Sequence, residues 1–91
     1  DVQIIRVDQL PEGAELLKNR RELAYGEATG HVHRVDIGEL FETKNGELFL
    51  KTEKLANVTH EEHKTVSLNP GVYRINIKRK YSPAGWDSVR D

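Results

Sequence analysis

Apolar and polar residues alternate with a period of two through much of this chain, and turn signals cut the alternation into short segments. The clearest run is Val72–Tyr81. There Tyr73, Ile75 and Ile77 fall on one side of an extended chain, and Arg74, Asn76, Lys78 and Lys80 fall on the other. Val2–Val7 (VQIIRV) is rich in β-branched residues and predicts an opening strand. Leu40–Thr43 and Glu47–Thr52 flank Asn45-Gly46. That dipeptide is a strong hairpin signal, because a tight turn matching the strand twist needs φ > 0 at its central residues. His31–Ile37 predicts a strand, and Leu55–His60 with Lys64–Leu68 predicts two more around a turn at Glu61-Glu62. Asn69-Pro70-Gly71 supplies a further turn.

Residues 14–28 are ambiguous. Leu10, Ala14, Leu17 and Ala24 partly fit a helical stripe, and the local Glu, Leu, Lys and Arg favour a short helix near 14–24. Arg21 interrupts the stripe and Gly26 ends it, so two short strands compete, with Glu22–Gly26 favoured as the second. Residues 82–91 read as a turn-like tail whose one anchor is Trp86, expected to fold back onto the body. The whole predicts one mainly β domain over residues 1–91, a small antiparallel β-barrel or sandwich.

Composition narrows the function classes. The chain has no cysteine, which removes disulfides, thiol catalysis and thiolate metal sites, and any metal must rest on nitrogen and oxygen ligands. With 14 basic and 15 acidic residues the net charge is −1, so no global field steers the domain to nucleic acid or anionic lipid. Lys78-Arg79-Lys80-Tyr81, with Lys18, Arg20 and Arg21, offers a basic patch, but alternation also explains its lysines as a solvated edge. No apolar run reaches membrane-spanning length and no signal-peptide pattern precedes the first strand, so the expected location is cytoplasmic. The chain lacks methionine and opens at Asp1, which leaves room for residues ahead of it. No serine sits in a nucleophile-elbow context, and there is no phosphate-binding glycine loop of the common types.

All four histidines lie in two short clusters, Gly30-His31-Val32-His33 and His60-Glu61-Glu62-His63. Residues two apart on a strand project from one face, so His31 and His33 share the side of Val35 and Ile37, and His60 shares the side of Ala56 and Val58. If the two strands are neighbours, the rings converge at one end of the core. Imidazole nitrogens suit a divalent transition metal such as zinc, nickel, iron or copper. Glu39 is a further candidate ligand, and Glu61 and Glu62 are candidate proton carriers for a substrate or water at an open position. The spacing of three between His60 and His63 differs from the helical zinc-protease motif, whose histidines stand four apart. The alternative is a non-catalytic accessory or protein-interaction module whose histidines are structural or sense pH.

The run Gly26, His31-Val32-His33, Glu39 and Gly46 resembles the first signature of the cupins. The resemblance implies a small β-barrel with a metal at its mouth, held by His31, His33 and Glu39. No histidine follows Pro70-Gly71, so the second cupin signature is absent, and His60 or His63 would stand in for its ligand. The ligand or substrate is left open, an unspecified small molecule or protein, and exposed strand edges are compatible with a homodimer.

Overall fold

The computed structural model describes residues 2–25, 32–60, 64–77, 79–82 and 85–88. These form eleven strands: β1 Val2–Val7, β2 Glu15–Leu17, β3 Glu22–Tyr25, β4 Val32–Val35, β5 Glu39–Glu42, β6 Leu48–Thr52, β7 Ala56–Thr59, β8 Val66–Leu68, β9 Gly71–Ile77, β10 Arg79–Ser82 and β11 Gly85–Ser88. A five-stranded antiparallel sheet runs in the order β1-β9-β6-β5-β2, and a four-stranded one in the order β3-β4-β7-β8. Strands β10 and β11 form a separate hairpin. The two larger sheets do not close on each other, so the architecture is a β-sandwich, not a barrel.

Alternation decides what lies between the sheets. On β6 and β9, Leu48, Leu50, Tyr73 and Ile75 point inward, joined by Leu40 of β5. Leu23, Val35, Ala56, Val58 and Leu68 meet them from the four-stranded sheet. Val2, Ile4, Leu17 and Ile37 pack around this core. Phe49 is buried at 6% exposure yet lies outside the core cluster, on the opposite face of β6, between Phe41 and Arg74 in register. Arg74 holds Glu47 at 2.9 Å on this face.

The chain changes sheets through short crossings. Thr52 is buried at the third of these, where its Oγ1 donates to the Lys54 carbonyl at 2.7 Å and accepts from the Lys54 N–H at 3.3 Å, which turns the chain from β6 toward β7. Gly38, at φ +101°, turns it from β4 into β5. Between β5 and β6 the expected hairpin forms, but with Lys44 and Asn45 as the central turn residues and a positive φ at Gly46 alone. Gly46 has φ +82°, its N–H reaches the Thr43 carbonyl at 2.9 Å, and the Thr43 N–H reaches the Glu47 carbonyl at 2.9 Å.

Three sequence expectations are corrected. No helix forms over 14–24; Leu17 turns to the core while Leu16 faces away, an alternation that pairing with β5 enforces over helical propensity. Asn19, at φ +60°, then ends β2 in a left-handed turn. The long run Val72–Tyr81 divides into β9 and β10. The tail, expected to be turn-like, contains β11, whose Trp86 stands opposite Tyr81 in the hairpin register. Packing of the Trp86 side chain onto the body lies outside what is described.

Candidate functional site

Strands β4 and β7 are neighbours, paired antiparallel with Arg34 opposite Thr59 and Val35 opposite Val58. One further step of that register brings His33 opposite His60. Alternation turns both inward: His33 lies on the side of Val35, and His60 on the side of Ala56 and Val58. They are 8% and 9% exposed, and their ring centroids stand 4.2 Å apart with planes tilted by 32°. The Nδ1 of His33 and the Nε2 of His60 are shut off from solvent. The pair thus joins the end of the apolar core, where its environment is far less polar than that of a surface histidine.

A hollow of about 380 Å³ adjoins the pair, lined by Val32, Arg34, Thr59 and His60. Arg34 projects to the polar outer face of the four-stranded sheet, which neither the alternation nor the histidine motifs flagged as part of a site. Farther along the same face, Asp36 accepts from the Asn57 N–H at 2.7 Å and from its side-chain amide at 3.2 Å. Ser67 Oγ donates to Asn57 Oδ1 at 2.7 Å, which extends the network to β8. The Asn57 backbone N–H, first among the causes, holds the Asp36 carboxyl below its ordinary value of 3.8. No local sequence signal foretold this network, because its members meet only through the pairing of β7 with its neighbours.

Of the four histidines, then, the structure brings His33 and His60 together. His31 and His63 lie outside the described residues, as do Glu61 and Glu62. Glu39 does not join the pair. It begins β5 in the other sheet, exposed, opposite Lys51. Among the described residues no group of three or more His, Asp or Glu side chains is gathered as metal ligands. The two basic segments weighed above against a solvated edge lie apart as well. Lys18–Arg21 sits near the end of the five-stranded sheet marked by Gly71, and Arg79 follows Ile77 at the other.

Compared with curated proteins and with solved structures, the chain matches none. Its match is to a family described only by its domain, and that family is not the cupins. Residues 1–78, which span both sheets through the end of β9, carry the match, and the chain belongs to the family described as Domain of unknown function (DUF8820).

Proposed function

We propose that this domain binds a divalent transition metal through its histidines, with His33 and His60 as the first two ligands and His31 and His63 completing the set. The observation that supports this reading is the meeting of two imidazoles from distant parts of the chain, 4.2 Å apart at the end of the core. Their strands are adjacent, so the flanking histidines stand only two and three residues along the chain from rings already in contact. Zinc, nickel, iron and copper all accept neutral imidazole nitrogen. The metal at such a site would supply Lewis acidity. Glu61 and Glu62, between His60 and His63, are placed by sequence to hold or pass a proton. The likeness of His31-Val32-His33 to the cupin pair supports the same reading.

One measurement favours the competing reading, a non-catalytic accessory module in which the histidines pack the core. Two imidazoles on one tetrahedral ion place their centroids about 5 Å apart, given metal–nitrogen distances of about 2.1 Å. The observed 4.2 Å at 32° is closer to a stack. Elemental analysis of untagged protein separates the two. The metal reading expects near-stoichiometric metal, lost in both His33→Ala and His60→Ala, and a melting temperature lowered by chelator. Metal-free protein that melts identically with and without chelator establishes the packing role instead.

A further inference from the structure

The crossing between β2 and β3 carries Lys18, Asn19, Arg20 and Arg21, and its last residue meets Val35, two residues along β4 from His33. It borders a hollow of about 250 Å³ whose other walls include Leu16, Gly38 and Glu39. Both guanidinium groups are held in place by backbone carbonyls: Arg20 Nε donates to Glu22 at 2.8 Å, and Arg21 Nη1 donates to Gly38 at 2.7 Å. Each bond uses one N–H of a five-donor fork and leaves the rest to reach a ligand. Among the described residues no carboxylate forms an ion pair with Lys18, Arg20 or Arg21. The Arg21 carbonyl accepts from the Val35 N–H at 3.0 Å, and Asn19 takes a left-handed φ of +60°, so the loop backbone is fixed as well.

We infer that this loop is a binding site for a small phosphate-type dianion, held by Lys18, Arg20 and Arg21. Three cations against the single carboxylate of Glu39 leave a local charge of +2, which a phosphomonoester dianion neutralises. The contrast on the other side of Gly38 sharpens the assignment. There a larger hollow of about 440 Å³ is lined by Lys51 and Lys54 but also by Glu39 and Glu53, and has no such preference. A volume near 250 Å³ lies below the range of roughly 300–1,000 Å³ usual for drug-sized ligands, so the occupant is small. The exposed Leu16 offers an apolar wall for a short organic group, which distinguishes an ester from free phosphate.

Amide NMR of the full chain tests this, with inorganic phosphate, propyl phosphate and chloride titrated at matched ionic strength. Saturable shifts centred on Asn19, Arg20, Arg21 and Gly38 are expected with both phosphates and not with chloride. Tighter binding of propyl phosphate identifies an ester site, and equal binding identifies free phosphate. Arg21→Gln and Lys18→Gln should each weaken binding about tenfold or more, the loss of one charge-assisted contact. Arg79→Gln, in the separate β10–β11 hairpin, should leave binding unchanged. Among the described residues the Lys18 side chain forms no hydrogen bond that holds the fold, so its variant reports on binding even where Arg21→Gln unfolds. The same shifts should persist in His33→Ala, which separates this site from any metal at the histidines. No saturation by about 10 mM phosphate, weaker than any useful affinity, or shifts reproduced by chloride, would overturn the assignment.

Discussion

At the scale of single residues, Gly38 shows how tightly the crossing between the sheets is specified. Its φ of +101° is one that side chains rarely adopt, and a Cβ there would meet Leu50 Cδ1 and the Lys51 carbonyl oxygen at 3.0 Å and Thr52 Cβ at 3.1 Å. All three neighbours belong to β6, Leu50 and Thr52 are buried, and the Lys51 carbonyl is backbone that cannot simply swing away. Gly38→Ala should therefore cost about 2 kcal/mol or more, from backbone strain with crowding added, read as a lower urea midpoint. Asp36 gives a pH signature. Its carboxyl lies below its ordinary value of 3.8 in the folded protein because the Asn57 N–H donates to it. A depressed carboxylate contributes stability above its unfolded value and loses that contribution as pH falls through the folded one. The melting temperature of the native chain should exceed that of Asp36→Asn at neutral pH, and the gap should close as pH drops below about 3.8. A gap constant down to strong acid would show that the hydrogen bonds do not favour the charged form. How much of this was legible in sequence differs by residue. Asn45-Gly46 announced its turn, since the need for φ > 0 is local; Gly38 did not, because what excludes a side chain there comes from β6.

At the scale of the element, period-two alternation was the reliable guide. It placed Tyr73 and Ile75 inside and Arg74 outside, and it turned His33 and His60 toward the core before any pairing was known. Pairing itself was not legible, because nothing in the sequence near residue 33 states that residues 56–59 lie beside it. The segment over 14–24 was ambiguous between a helix and two strands for the same reason. Its composition favours a helix, but β5 and β4 offer ladder partners that local propensity cannot register. Strand β6 makes the energetic case for the core. It lies in the middle of its sheet, and Leu50 is fully buried between Leu40 and Tyr73 in register. Leu50→Ala should cost about 2–5 kcal/mol, the range for a leucine truncated where the surroundings cannot collapse. Urea unfolding should show the midpoint fall with an unchanged slope. A loss well under 1 kcal/mol would mean that the sheets re-pack over the gap.

At the scale of the molecule, the first two strands occupy opposite edges of the five-stranded sheet. Four strand spacings, about 19 Å, separate those edges, and the link of residues 8–14 crosses them with length to spare at about 3.3 Å per residue. The later strands then alternate in pairs, β3 and β4 in one sheet, β5 and β6 in the other, β7 and β8 back in the first, before β9 returns to lie between β1 and β6. Ladders between strands so far apart in sequence close large loops before they gain contacts. Folding should accordingly fall in the millisecond-to-second range of sandwiches with non-local pairing, measurable by stopped-flow far-UV circular dichroism. A single phase in microseconds would contradict that expectation.

The back-and-forth stitching of the chain has one more consequence. Cutting between β4 and β5 leaves each fragment with strands of both layers and a full layer in neither, so neither piece owns a face against which to bury its apolar side chains. The domain is thereby indivisible: a nick at Gly38 should yield either two unfolded peptides or, on mixing, a reassembled whole, with no half-domain that stands alone.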